Sequence, residues 1–493
     1  MLPSREQSFH PLFRLKDTNN FKVLRGNYIL YGGIVIDVFV MILNVPLDMR
    51  RSVLSFVSVI LFHVGCFCVY VCYAYDNGLG LTPPMGWNSW NHFGCKNIHQ
   101  DLIQETAQAL VDLELDKIGY RYINLDDCWQ ISRNDTGYIQ EDFDKFPSGI
   151  PALRDYVVEE LGLKFGLYSD AGVRTCAGRP GGLGYEAQDA STYAMWKIDY
   201  LKYDNCFNLG MNVHTRYRRM HDALNATGYP IFFSICEWGY NDPAKWAGDL
   251  GNAWRTTKDI EPTWKSITTI LDQNNQWYEY AHPGGWNDPD MLEVGNGELT
   301  LVEQRSHFTL WCLIKAPLLL VSDLRNLSAD VLKIINNTEI IAWNQDRLGK
   351  QGYLRLSVRA EEDYDNDGDR NENHNENHND NGGKLQSGTD AVPGSHAKPQ
   401  QALQVWAGEL SDGHIALVLF NRSDKEHTIT APWNVLGLAD NNTAMIARNV
   451  WEHQDMGMFR NSFTALVESH GVVAVELRPS TSITHNSVEQ LQI

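Results

Sequence analysis

Carboxylate side chains end one short apolar run after another along this chain. Paired carboxylates can move protons and attack an acetal carbon. Asp126 and Asp127 follow Tyr122-Ile-Asn-Leu, Asp170 follows Phe165-Gly-Leu-Tyr-Ser, and Asp204 follows Asp199-Tyr-Leu-Lys-Tyr. Glu237 follows Ile231-Phe-Phe-Ser-Ile-Cys, Asp259 follows Trp254-Arg-Thr-Thr-Lys, and Asp288 with Asp290 follow Gly284-Gly-Trp-Asn. Residues two apart on a strand share a face, so Lys202 and Asp204 point the same way. A cation beside Asp204 favours the ionised acid that a nucleophile needs, although a structural ion pair would look the same. Asp259 offers a second acid, with a helix N-cap as its alternative. Two carboxyl groups about 5–5.5 Å apart hydrolyse a glycosidic bond with retention. Asp126 and Asp127 repel unless donors surround them, and sugar hydroxyls are good donors; a metal is the competitor, disfavoured by the lack of nearby His.

These acids recur at intervals of roughly 20–45 residues, as successive strand–helix units require, and barrel strands carry their catalytic groups at the C-terminal ends. Residues 76–345 alternate strand-like runs beginning near Met85, Tyr122, Lys164, Tyr200, Ile231, Asn252, Gly284 and Ala316 with helix-like segments. Those segments span 101–118, 150–161, 186–198, 213–225, 264–280 and 301–314; Glu114 interrupts the apolar stripe of the first. A (β/α)₈ barrel is the expected α/β architecture. Residues 346–480 change texture: runs at Gln404, His414, His427, Ala447 and Val472 alternate as strands, so a C-terminal antiparallel β-sandwich is expected. Within it, residues 361–400 hold ten acids and three bases in low-complexity sequence and read as a solvated insertion. Asp363 to Asp369 imitates a calcium loop, but His374 stands where the twelfth-position Glu belongs. Trp87, Trp90, Trp129, Trp238 and Trp286 fall near the same strand ends, where indoles can pack on sugar faces or fill the core.

The chain has 493 residues, 43% of them hydrophobic, and a net charge of −20, which suits a folded enzyme and disfavours nucleic acid as a partner. No C-x-x-C or Cys/His pair has zinc spacing, so metal ligation is not expected. Residues 53–73 are almost wholly apolar, follow Arg50-Arg51 and end at Cys72-Tyr73-Ala74. Residues 49–74 therefore read as a signal peptide, or as an anchor that would hold the chain in a membrane if retained. Residues 1–48 read as an extension from an upstream start, and 481–493 as a tail. Six N-x-Ser/Thr triplets, at Asn134, Asn225, Asn326, Asn336, Asn421 and Asn441, are glycosylation candidates. Together with the apolar leader they point to the secretory pathway, ending in the lysosome or outside the cell.

Six motifs in order carry a family resemblance. Leu81-Thr-Pro-Pro-Met-Gly-Trp-Asn-Ser-Trp90, Asn124-Leu-Asp-Asp-Cys-Trp129, Tyr200-Leu-Lys-Tyr-Asp-Asn-Cys206, Cys236-Glu-Trp-Gly239, Trp254-Arg-Thr-Thr-Lys-Asp259 and Gly284-Gly-Trp-Asn-Asp-Pro-Asp-Met291 resemble the melibiase-type α-galactosidases, glycoside hydrolase family twenty-seven, in their plant-type wording. The resemblance covers about residues 77–479 and implies a retaining exo-α-galactosidase with no cofactor. It makes Asp204 the nucleophile and Asp259 the acid/base. It places Trp87, Asp126, Asp127, Lys202, Glu237, Arg255 and Asp290 around the galactose, with Tyr168 and Cys176 beside it. It also implies disulfides Cys95–Cys128 and Cys176–Cys206, with Cys236 and Cys312 left as thiols. The implied partners are α-galactoside substrates, and a homodimer is compatible with the family. Glu237 would accept a hydrogen bond from the sugar 2-hydroxyl and fill the space of an N-acetyl group. The alternative is an α-N-acetylgalactosaminidase or related α-glycosidase of the same family. From another class, a lectin on a dead barrel would normally have lost one catalytic acid, and both are present. His282 stands where the family usually has Gly, a change that would alter either the pocket rim or its pH response.

Overall fold

The computed structural model describes residues 77–360, 402–438 and 443–480. The apolar leader, the acidic insertion, Asn441 and the C-terminal tail lie outside the described residues. Ten strands precede residue 321: β1 (Met85–Asn88), β2 (Tyr122–Leu125), β3 (Gln130–Arg133), β4 (Ile139–Glu141), β5 (Lys164–Asp170), β6 (Tyr200–Asp204), β7 (Phe232–Ile235), β8 (Ala253–Arg255), β9 (Trp286–Asp288) and β10 (Leu318–Leu320). Eight of them form one parallel sheet in the order β10-β1-β2-β5-β6-β7-β8-β9. Beyond β9, Leu292 bridges to Leu320 and its N–H donates to Leu319 O at 2.9 Å, which closes the ring. The strands are short, apolar and buried on both faces, as a parallel sheet wrapped by helices requires. β3 and β4 form a separate hairpin that period-2 patterning did not announce.

The helices are α1 (Trp90–Asn97), α2 (Gln100–Asp112), α3 (Ile150–Asp155), α4 (Glu186–Met195), α5 (Val213–Thr227), α6 (Trp264–Asn275), α7 (Leu301–Leu313), α8 (Ala329–Ile335) and α9 (Thr338–Asn344). α2 stops short of the expected 118 because Glu114, the residue that broke its apolar stripe, takes φ 56° and turns the chain into a 3₁₀ segment. α7 starts at a capping box. Thr300 Oγ1 accepts from the Glu303 N–H at 3.2 Å, and Glu303 returns the bond to Thr300 N at 2.8 Å.

Eight further strands follow: β11 (Tyr353–Val358), β12 (Leu403–Glu409), β13 (Ile415–Asn421), β14 (His427–Pro432), β15 (Met445–Asn449), β16 (Gln454–Phe459), β17 (Ser462–Val467) and β18 (Val472–Pro479). A six-stranded antiparallel sheet, β11-β12-β13-β18-β15-β16, packs on the β14–β17 pair. Period-2 alternation divides its central strands between two cores. Val405, Leu417 and Leu419 face the sandwich interior, while Trp406, Val418 and Phe420 join the core of the barrel. Charged pairs border this join: Arg448 reaches Glu339 at 2.7 and 2.8 Å, and Arg422 reaches Asp272 at 2.8 Å.

Two sequence expectations change here. Asn421 is fully buried, and its amide donates to the carbonyls of Lys425, Val467 and Glu468 at 2.7–3.1 Å, so it cannot carry a glycan in this fold. Asn134, Asn225, Asn326 and Asn336 are exposed. His282 precedes β9, with its ring 6.3 Å from that of Trp254, and so belongs to the N-terminal end of the barrel rather than to the rim where the acids stand.

Trp406→Ala should lower stability by about 3–5 kcal/mol, because a wholly buried indole that sandwich strand β12 contributes to the barrel core is deleted. Urea unfolding followed by tryptophan fluorescence measures it. A loss below about 1 kcal/mol would show that this face does not couple the sandwich to the barrel.

Candidate active site

The C-terminal ends of the barrel strands surround a cleft of about 480 Å³. Register brings its parts level: Tyr168 on β5 pairs with Lys202 on β6, and Asp170 with Asp204. Asp126, Asp127, Tyr168, Cys176, Lys202, Asp204, Arg255, Asp259 and Asp290 all line this one cleft. Lys202 Nζ lies 2.9 Å from Asp126 Oδ2, which also accepts from Asn88 Nδ2 at 2.9 Å. Lys202 therefore pairs directly with Asp126 and leaves the Asp204 carboxylate open to the cleft. Asp204 takes a hydrogen bond from the Tyr168 hydroxyl at 3.0 Å and one from Asn205 N at 2.9 Å. Asp127 is held by the N–H groups of Ala177 and Cys128 at 2.9 and 2.7 Å.

Across the cleft, Arg255 is buried and its Nη2 bridges two acids, Asp259 at 3.0 Å and Asp290 at 3.1 Å. Asp259 itself is 75% exposed at the mouth. It is not a helix cap: α6 begins at Trp264 and is capped by Thr263. Asp290 is held by Ile260 N at 2.8 Å and sits at φ 81°, a conformation costing about 1–2 kcal/mol for a residue with a Cβ.

The two acids differ in proton affinity. Burial pushes Asp204 up to about 6; the Lys202 cation and the Tyr168 hydroxyl oppose this, and the Asp259 charge adds to it. At Asp259 the cleft walls around its exposed carboxyl still favour the neutral acid by partial desolvation, but Arg255 and then Lys202 outweigh this and hold the carboxyl below the usual range. Asp170 lies behind Asp204, fully buried, and accepts from Gly172 N and Cys206 N at 2.6 and 2.9 Å. Burial first, then the Asp204 charge, pushes it up to about 8.

Disulfides hold the loops that frame the cleft. Cys95 is bonded to Cys128 and Cys176 to Cys206, while Cys236 and Cys312 are buried thiols. The second bond joins the loop after β5 to the loop after β6. Gly172 lies so close to that second loop that a Cβ would meet Cys206 O at 1.9 Å.

Two residues expected around the sugar are elsewhere. Trp87 is fully buried, and its Nε1 donates to Ser322 O at 2.9 Å. Its neighbour Asn88 faces the barrel axis, so strand alternation sends Trp87 outward, and Trp90 lines the cleft instead. Glu237 is also fully buried, its carboxylate occupied by the backbone and side-chain amides of Asn241. The chain takes φ 59° at Trp238, and it is Trp238 that lines the cleft. Asn91, His92, Met291 and Glu293 are among the other residues of the wall, with no role expected for them from sequence. For Asn91 and His92 the only sequence signal was their place directly after the Trp90 motif.

Comparison with known proteins gives a consistent picture. Residues 82–346 match the family described as Alpha galactosidase A, and 400–477 match the Alpha galactosidase C-terminal beta sandwich domain. An alpha-galactosidase of Cyamopsis tetragonoloba is 47% identical over 409 residues, 83% of this chain and 89% of that protein. The crystal structure of alpha-galactosidase I from Mortierella vinacea superposes with a TM-score of 0.71 at 33% identity, covering 82% of this chain and 99% of that one. An alpha-galactosidase from Saccharomyces cerevisiae, solved with raffinose, gives 0.70 at 29% identity, covering 82% and 99%.

Tyr168→Phe removes a donor that favours ionised Asp204. The acid limb of kcat/KM should therefore move to higher pH, with kcat reduced about tenfold or more. An unmoved limb in a pH–rate profile would show that this hydroxyl does not tune Asp204.

Proposed function

Because the chain belongs to the α-galactosidase family of glycoside hydrolases, we propose that it removes terminal α-D-galactosyl residues by double displacement with retention. Oligosaccharides, glycolipids and glycoproteins are the substrate class, and raffinose-type sugars are natural first substrates to assay. The observation that supports this most strongly is the convergence of Asp204, from β6, and Asp259, from the loop after β8, on one cleft, Asp204 bonded to the Tyr168 hydroxyl and Asp259 to the buried Arg255. Asp204 attacks the anomeric carbon; the Tyr168 hydroxyl and Lys202 stabilise its charge before attack. Asp259, exposed at the mouth, meets the leaving-group oxygen; Arg255 holds it ionised in the free site, so it must take up a proton as the sugar binds before it protonates that oxygen and then activates the water that hydrolyses the glycosyl-enzyme. Asp126, Asp127, Lys202 and Arg255 supply acceptors and donors for sugar hydroxyls at the closed end.

The side wall favours galactose over its N-acetylated relative. With Glu237 enclosed, Trp238 takes the steric role: its indole lines the cleft and leaves less room for an acetamido group. The secretory assignment is part of the same reading. Two disulfides suit an oxidising compartment, and the leader-like residues 49–74 supply a route. N-terminal sequencing of exported protein should begin near Tyr75; a chain that keeps residues 53–73 would refute cleavage.

Asp204→Asn should reduce kcat on p-nitrophenyl α-galactoside by at least ~10³-fold with folding unchanged by circular dichroism. Near-normal turnover would remove Asp204 from the mechanism. Trp238→Ala should raise the activity ratio of p-nitrophenyl α-N-acetylgalactosaminide to α-galactoside; an unchanged or lower ratio would refute the steric role.

A further inference from the structure

A second cavity of about 500 Å³ shares no residue with the active-site cleft. Leu301 and Arg305 of α7, Ile334 of α8, Asn336 at the α8–α9 junction and Trp451 after β15 line it, so barrel and sandwich both contribute. That volume lies within the usual range of small-ligand sites. One wall is flat and fixed: Trp451 Nε1 donates to Thr309 Oγ1 at 3.0 Å, and the Arg305 guanidinium stacks 4.5 Å from the indole centroid. Asn337 Nδ2 donates to Val450 O at 3.0 Å, tying the α8–α9 junction to the loop that carries Trp451.

Asn336 is exposed, lines this cavity and opens the triplet Asn336-Asn-Thr338. A sugar attached to its amide starts at the lining of this cavity, which also carries a planar wall of the type that packs on pyranose C–H faces. With its side-chain amide turned so that the nitrogen faces the end of α8, Asn336 would donate to the carbonyls of Leu332 and Lys333 at 3.0 and 3.2 Å, and a glycosylated amide retains one N–H for that cap.

We propose that Asn336 carries an N-linked glycan whose first N-acetylglucosamine units seat against Trp451 and Arg305, forming a saccharide strut between barrel and sandwich. In the attachment step the amide nitrogen bonds to the anomeric carbon of a lipid-pyrophosphate-linked oligosaccharide. The bond from that carbon to the pyrophosphate oxygen breaks, the lipid pyrophosphate departs, and the nitrogen loses one proton. The proposal rests on the secretory reading above and adds which triplet is used and where its sugar lies.

The test is peptide mass spectrometry on the full chain made in a eukaryotic secretory host, with release by a peptide-N-glycanase before and after urea unfolding. Asn134, exposed on the β3–β4 hairpin, is the internal reference. The expected result is an occupied Asn336 whose sugar is released from native protein at least tenfold more slowly than that of Asn134, with equal rates after unfolding. Trp451→Ala should abolish the protection. An unmodified Asn336 beside an occupied Asn134, or equally fast native release from both, would overturn the strut. Absence of sugar from every triplet would instead refute the secretory reading, and the strut with it.

Discussion

A guanidinium with its head group out of water has to be neutralised where it stands. Arg255 is buried at the end of β8, and the cleft is organised around that requirement. Asp290, itself buried, and Asp259, at the mouth, compensate it from two sides, and removing the buried partner of such a pair typically costs about 3–5 kcal/mol. Holding Asp290 in place requires the left-handed turn at the end of β9 and the bond from Ile260 N. Lys202, two strands away on β6, repeats the arrangement with Asp126. Two cations thus fix the positions of the acids, and the closed sheet fixes the positions of the cations.

From this follows the asymmetry between Asp204 and Asp259. Both carboxyls feel burial, but Asp259 bonds Arg255 directly whereas Asp204 has Tyr168 and a more distant Lys202. An acid with open lone pairs deep in the cleft and an acid at its mouth have different access to a sugar. The deep one meets the ring carbon and the outer one meets the departing oxygen. The disulfide between Cys176 and Cys206 secures the two loops beside the deep acid.

Much of this was legible from residue order, for physical reasons that also mark where legibility stops. Strands of a parallel barrel are buried on both faces, so runs such as Tyr122-Ile-Asn-Leu and Phe232-Phe-Ser-Ile stand out against amphipathic helices. Lys202 and Asp204 lie within a regular strand, where period two holds. Trp87 and Glu237 failed for the converse reason. Each lies one position or one turn from the residue that enters the cleft. The deciding geometry is the start of α1 after Ser89 and the left-handed φ at Trp238. Neither leaves a periodic trace. The β3–β4 hairpin and α8–α9 were also silent, because short elements contain too few turns or alternations to display a period. The burial of Asn421 was invisible to its triplet, since only the folded β13 shows three carbonyls competing for its amide.

The account stands on Asp204 attacking a sugar whose leaving group Asp259 protonates. The most direct test uses a fluorinated α-galactosyl fluoride that glycosylates the enzyme quickly and is released slowly. One equivalent of fluoride should be freed, and peptide mass spectrometry should place one fluorogalactosyl adduct on Asp204, recoverable as activity returns. An adduct on Asp259 or another side chain, or inactivation with no adduct, would contradict the account.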